Sequence, residues 1–235
     1  MPKVKREEAR RAVDDMLKGG IIEQSKSPWS SPIVLVRKKN GATRFCVDYR
    51  KLNNITRKDS YPLPRKDDTM EALQGATRFS TLDLKSGYWQ VQLGPEAIEK
   101  TAFSVTGLGH WQFKVMPFGL CNALATFERL MEHVLAGLSW KVCLVYLDDV
   151  IIYGSSLSEH VENLKEVLQR LRLARLKLSP DKCLLLQREV TYLGYIVNET
   201  GVKVDPRKVE AVAEWPLPRN VAEVRRFLGL ASYYR

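Results

Sequence analysis

The sequence predicts an α+β fold, and three observations predict it. Helical and strand-like periods alternate irregularly along the chain, with no repeating βαβ unit. Asn40-Gly41 stands between two strand-like stretches, the strongest short-range signal of a hairpin. The 235 residues, 45% hydrophobic and 27% charged, suffice for one large domain or two modest ones around a sizeable core.

The elements follow in order. Arg6 to Lys18 puts Ala9, Val13, Met16 and Leu17 on one stripe, and Gly19-Gly20 stops this short amphipathic helix. Ser27 to Pro32 is a turn-rich entry to a strand over Ile33–Arg37, and the hairpin returns over Thr43–Tyr49. Tyr61-Pro-Leu-Pro64 reads as extended linker, because each Pro biases its predecessor away from helix. A short helix over Asp67–Leu73 precedes a strand over Phe79–Leu84, and Tyr88–Leu93 alternates as a further strand. Thr101–Val105 and Trp111–Val115 form a strand pair around a Gly-rich turn. Asn122 is placed to cap a helix with Phe127, Leu130, Met131, Val134, Leu135 and Leu138 on one face. Trp140–Tyr153 is β-branched and aromatic, broken only by Asp148-Asp149. Ser158 is placed to cap a helix with Leu157, Val161, Leu164, Leu168 and Leu171 on one stripe. Strands are expected over Leu184–Leu186 and Val190–Val197, then helices over Val209–Trp215 and Val221–Tyr234, parted by Pro216-Leu-Pro218.

Composition excludes several classes. No apolar run approaches the roughly 18–20 residues that span a bilayer, and no apolar h-region follows the basic start from Met1 to Arg11. A soluble intracellular chain, cytoplasmic or nuclear, is expected, with no membrane partner. Cys46, Cys121, Cys143 and Cys183 stand singly, which argues for a reduced compartment and against zinc. His110, His133 and His160 are isolated and receive no role. The net charge of +10 favours polyanionic partners through phosphate neutralisation, although an inert basic surface has the same signature.

Acids in apolar strands carry the chemistry. Asp148 and Asp149 interrupt Val142 to Tyr153, and Asp83 interrupts Phe79 to Leu84. A buried carboxylate costs several kcal/mol unless paired or bound to metal. Each acid alone reads more simply as a turn or edge residue facing water. If the two strands are neighbours, three carboxylates converge. Oxygen donors without His or Cys suit Mg²⁺ rather than zinc. Two such ions roughly 3.5–4 Å apart serve in-line phosphoryl displacement.

These residues carry a resemblance. Tyr146-Leu-Asp-Asp149 resembles the YxDD box of reverse transcriptases, and Leu82 to Gln90 resembles the strand bearing their first catalytic Asp. Arg44 to Asn53, Tyr61 to Pro64, Met116 to Leu120, Tyr192 to Gly194 and Arg225 to Arg235 extend the match in order over nearly the whole chain. The family resembled is the gypsy-type LTR retrotransposon Pol polyprotein, in its reverse transcriptase domain. The resemblance implies a right-hand polymerase fold, with fingers over 1–58 and 91–122, palm over 59–90 and 123–200, and the start of a thumb over 201–235. It implies that Asp83 and Asp148 ligate two Mg²⁺ ions, with Mn²⁺ able to substitute. Asp149 is more peripheral but needed, and the Leu84 carbonyl completes one shell.

The same resemblance implies that Lys38 and Arg44 clamp the incoming triphosphate, as a point charge and a bidentate fork. Without it, a solvated basic hairpin is the simpler account. Tyr88 lies where family members set a ring under the deoxyribose, excluding a 2′-OH. Phe118 and Gly119 form the nucleotide pocket floor, and Lys182 matches a basic residue that could protonate the pyrophosphate leaving group. Tyr192, Leu193 and Gly194 resemble the primer grip. The implied partners are an RNA or DNA template-primer and dNTPs. Ribonuclease H and integrase segments follow in such polyproteins, and virus-like particles are one setting for them. Leu124 and Lys66 depart from the family pattern without touching the acids. Two rivals are weighed. An RNA-dependent RNA polymerase is disfavoured by Tyr88. A catalytically impaired, truncated fragment that only binds nucleic acid is suggested by the helical pattern running into Arg235.

Overall fold

The structure is a computed structural model that describes residues 3–37, 41, 43–62 and 64–232. It divides into two compact units, Met1–Leu63 with Leu84–Val134 and Pro64–Asp83 with Leu135–Arg235. Among the described residues no helix is long and apolar enough to cross a membrane.

The first unit opens with α1 (Lys3–Lys18), which buries Ala9, Val13 and Met16. Leu17, expected on that stripe, is 44% exposed, because the buried stripe is narrower than the apolar one. Gly20, at φ 68°, supplies the left-handed turn that leads to β1 (Ile22–Gln24). The expected hairpin is β2 (Ile33–Arg37) against β3 (Thr43–Val47), antiparallel from Ile33↔Val47 to Arg37↔Thr43. Its second strand stops two residues short of Tyr49, whose hydroxyl donates instead to the Thr101 carbonyl at 2.8 Å. After α2 (Arg50–Ile55) the chain enters the second unit for α3 (Lys66–Glu71) and β4 (Arg78–Asp83).

Back in the first unit, the strand expected over Tyr88–Leu93 is not formed. Ser86 turns the chain at φ 51°, and Gly87–Gln90 is a 3-10 turn that sends Tyr88 and Trp89 toward Phe118. Only Gln92 makes a bridge, to Val115. Then come α4 (Pro95–Ile98), β5 (Phe103–Val105), β6 (Gly109–Phe113) and α5 (Ala123–Val134). The strand order β1-β6-β5 adds a strand that the alternation at Ile22 was too short to signal. Asn122 does not spend its side chain on capping α5. Its Oδ1 accepts the Asp59 N–H at 3.0 Å and its Nδ2 donates to the Arg57 carbonyl at 2.9 Å, tying the linker to the helix start.

The second unit resumes with β7 (Cys143–Tyr146), β8 (Asp149–Gly154) and α6 (Leu157–Leu173). The cap of α6 is Ser156, not Ser158, and its hydroxyl accepts the Glu159 N–H at 3.2 Å. The buried face is therefore His160, Leu164, Val167 and Leu171, while Leu157 is left 53% exposed. A 3-10 turn at Pro180–Lys182 leads to β9 (Leu184–Gln187). The stretch read as one strand over Val190–Val197 is a hairpin, β10 (Glu189–Tyr192) and β11 (Tyr195–Asn198). Leu193 and Gly194 turn it with φ 52° and 86°, the two positive values a tight two-residue hairpin turn needs. After β12 (Gly201–Val204) come α7 (Pro206–Ala213) and α8 (Val221–Ser232). The main sheet runs β7-β8-β4-β9, and the other β10-β11-β12. Phe79, Leu144 and Ile151 on the first meet Val190, Tyr192 and Val197 on the second in one core.

Candidate active site

The ladder of the main sheet brings the acids together. β4 and β8 are antiparallel neighbours, and their register ends on Asp83↔Asp149. β7 pairs β8 with Tyr146↔Asp149, so Leu147 and Asp148 are left as the hairpin turn. Leu147 takes φ 61°, an uncommon strained conformation for a branched residue and of a kind that clusters at functional sites. The bland reading of these acids as turn residues is thus right about Asp148 but not about Asp149, which opens β8. It is incomplete, because the turn is docked on a third carboxylate.

The site is electrostatically loaded. Burial, then the charges of Asp149 and Asp83, push the Asp148 carboxyl above its ordinary range, and Lys182 opposes them. Burial and Asp83 push Asp149 the same way, again opposed by Lys182. Asp148 Oδ1 is buried with no hydrogen-bond partner. Lys182 Nζ lies 3.1 Å from both oxygens of Asp83. The backbone supports this pair, since the Ser179 N–H donates to the Asp83 carbonyl at 2.8 Å. Among the described residues no three His, Cys, Asp or Glu side chains stand in ready metal-ligating geometry. An orphaned buried carboxylate oxygen, raised carboxyls and hard oxygen donors nevertheless fit a divalent cation.

A cleft of about 210 Å³ joins Asp83, Asp149 and Lys182 to Tyr192 and Leu193. Gly194 completes the hairpin turn beside them. Leu84, whose carbonyl the resemblance implicates, directly follows Asp83 and is buried.

A second constellation lies in the first unit. Arg44 projects from β3 with its guanidinium carbon 5.7 Å above the Phe118 ring. The Tyr88 and Phe118 rings are 5.1 Å apart, and Tyr88 meets Phe127 edge-on at 5.3 Å. Gly119, at φ 97°, turns its carbonyl to accept Asn53 Nδ2 at 2.8 Å. Sequence reasoning missed Trp89, whose ring lies 5.9 Å from Phe118, though its place beside Tyr88 was a usable signal. Lys38 lies outside the described residues. A larger cleft of about 320 Å³ also opens in this unit, lined by Leu52, Val91, Leu93, Met116 and Leu120. It holds no carboxylate, so size does not locate the chemistry.

A sheet hairpin presenting two acids beside a third, with a lysine and a second hairpin at its edge, is the arrangement that the sequence resemblance led one to expect. Residues 36–197 match the family model described as reverse transcriptase (RNA-dependent DNA polymerase), and the chain belongs to that family. It is similar to the retrovirus-related Pol polyprotein from transposon 297 of Drosophila melanogaster, 46% identical over 97% of this chain and 22% of that one. The corresponding polyprotein from transposon gypsy is 45% identical over 95% of this chain and 22% of its own length. This chain thus spans about a fifth of these relatives. Among solved structures, a foamy viral protease-reverse transcriptase in complex with double-stranded DNA superposes with a TM-score of 0.88. It is 27% identical over 97% of this chain and 40% of that one. The same kind of protein in complex with an RNA/DNA hybrid gives 0.86 at 26% identity, covering 100% and 31%. The α+β right-hand polymerase fold is thereby established.

Proposed function

We propose that this chain is an RNA-directed DNA polymerase module that adds dNTPs to a primer 3′-OH by in-line nucleotidyl transfer. The observation that carries this is the register Asp83↔Asp149 with Asp148 in the adjoining turn and Lys182 on Asp83. Asp83, Asp148 and Asp149 would hold two Mg²⁺ ions, helped by the Leu84 carbonyl. Bound there, such ions lower the nucleophile's pKa and neutralise charge on attacking and leaving oxygens, and Mn²⁺ can take their place. Lys182 sits where it can pass from Asp83 to a departing pyrophosphate and donate its proton. Arg44, together with Lys38 six residues before it in the sequence, would hold the triphosphate by charge-assisted hydrogen bonds. Tyr88, wedged between Phe118 and Phe127, would stand under the sugar and refuse a 2′-OH.

The fingers would comprise 1–58 and 91–122, the palm 59–90 and 123–200, and the thumb would begin over 201–235. Two compact units with the same back-and-forth chain order support this division. An RNA/DNA or DNA duplex is the proposed template-primer, in line with the net charge of +10 and with the duplexes held by the foamy viral proteins. The turn Leu193-Gly194 between β10 and β11 would grip the primer strand, where glycine permits close backbone approach. Primer extension on poly(rA)/oligo(dT) with Mg²⁺ or Mn²⁺ tests the proposal, with Asp148→Asn for comparison. Extension by the wild-type chain alone is expected. Equal signal from the two proteins would overturn the assignment.

A further inference from the structure

β9 is held in an unusual way. Its register against β4 runs Phe79↔Gln187 and then Thr81↔Leu184, so β9 carries one residue more than β4 over that step. The surplus is a bulge at which Leu186 takes φ 55°, a left-handed conformation that strains a branched residue. Bulges of this kind leave a ladder N–H without its strand partner. Here the Leu186 N–H donates to Ser80 Oγ at 3.0 Å, a side chain standing in for the missing carbonyl.

Ser80 is fully buried, and so is its next neighbour, His160 of α6, whose Nε2 lies 2.8 Å from Ser80 Oγ. Having received the Leu186 N–H, Ser80 has its own proton to place. Among the described residues His160 Nε2 is its only acceptor. Ser80 Oγ thus joins the Leu186 N–H to His160 Nε2. Burial pushes the imidazole below its ordinary range, with the Tyr153 carbonyl opposing, which favours the neutral ring. The ring reaches β4 only because α6 is pressed onto the end of β8. A Cβ on Gly154 would stand 2.9 Å from the His160 backbone.

We propose that Ser80 and His160 are positioning residues that fix the β9 bulge and so hold Lys182 against Asp83. Only Cys183 separates Lys182 from the start of β9's ladder at Leu184, and the Ser179 N–H bond to Asp83 anchors the other side of that short turn. The lysine side chain is 65% exposed and meets Asp83 at 3.1 Å. Its position is set by the two anchors that flank it. The role rests on the polymerase function proposed above, in which Lys182 serves pyrophosphate departure.

The test combines amide exchange with single-turnover extension. Ser80→Ala is expected to expose the Leu186 amide to exchange and to lower kcat about tenfold with little change in dNTP KM. A general acid is worth roughly 10²–10⁴-fold, and here it is misplaced rather than removed. In a Lys182→Ala background the same substitution is expected to cost nothing further. His160→Gln, which keeps an acceptor at the Nε2 position, is expected to behave as wild type, and His160→Leu to lose activity as Ser80→Ala does. This pair keeps the test decisive should Ser80→Ala fail to fold. An equal loss with and without Lys182, or unchanged Leu186 exchange in Ser80→Ala, would overturn the positioning role. Should wild type and Asp148→Asn extend equally, the polymerase assignment fails, and exchange across β9 alone then decides whether the pair holds the bulge.

Discussion

Asp83 and Asp149 face each other because two neighbouring strands share a ladder, whereas Arg44, Tyr88 and Phe118 meet through side chains on segments with no ladder between them. The acids sit on a sheet whose inner face is Phe79, Leu144 and Ile151, each side chain contributing about 1.5–3 kcal/mol by burial. Their spacing is therefore as stiff as the core beneath them. The aromatic group in the first unit is held by ring-on-ring contacts with the Arg44 guanidinium on the Phe118 face. A rigid carboxylate site suits ions that demand near-ideal geometry, and an aromatic wall suits the flat faces of a nucleotide.

The largest break in this contrast is expected at Asp148. Asp148→Asn should lower extension on the order of 10³-fold or more, the scale on which preorganised charge contributes to catalysis. The same change should raise the metal-free melting temperature. The folded carboxyl is pushed above its ordinary range, so its charged form is disfavoured by folding. That penalty is present at neutral pH and fades as pH falls and the group protonates. Removing the charge recovers it, and each kcal/mol recovered moves Tm by roughly 2–4 °C in a chain of this size. Added Mg²⁺ should stabilise the wild type more than Asp148→Asn. Thermal melts in chelator and in Mg²⁺ measure both effects, and a lower metal-free Tm for the variant would contradict the electrostatic account.

Much of this site is legible in sequence because the signal is a violation of pattern. Asp83 and Asp149 are acids where the strand period demands apolar residues, and only a ladder was needed to join them. The second anchor of the site is different. His160 looks like an ordinary member of a helical stripe, and Ser80 like a small residue in a strand. Their meaning depends on Leu186, more than a hundred residues from Ser80, arriving with one residue too many. No local pattern records a bulge satisfied by a distant side chain. The 3-10 turn at Gly87–Gln90 was hidden for a related reason. Its alternation mimics a strand, and only the left-handed Ser86 and the aromatic partners of Tyr88 decide otherwise.

The next effects fall in the aromatic group. Tyr88→Ala should leave dNTP incorporation largely intact while relaxing discrimination against ribonucleotides by about 10²-fold, the range a pocket wall achieves against one added hydroxyl. Competition between dATP and ATP on one template measures it, and an unchanged ratio would remove Tyr88 from the sugar site. Arg44→Ala should raise the dNTP KM roughly 10- to 100-fold, matching the about 1.5–3 kcal/mol of a hydrogen bond to a charged group. Arg44→Lys should recover only part of this, since an ammonium keeps the charge but not the planar fork lying over Phe118. Full recovery by lysine would mean that charge alone acts there.

The smallest effect is one of stability and sharpens the contrast from the rigid side. His160 is fully buried, and burial depresses its pKa from an ordinary value of about 6.5. The Tyr153 carbonyl and Glu159 favour the charged ring, and Arg78 disfavours it, without reversing the direction. A depressed folded pKa contributes stability that is fully present above the unfolded value and is lost as pH falls through the folded one. Urea melts from pH 7.5 to pH 5 should therefore show the wild type losing stability by at most about 1.4 kcal/mol per pH unit through this residue. His160→Gln, which cannot titrate, should lose less over the same range, and the difference between the two slopes isolates the imidazole from the carboxylates that titrate in both. Identical slopes would mean that folding leaves the ring's proton affinity unchanged, which would contradict the burial-driven depression.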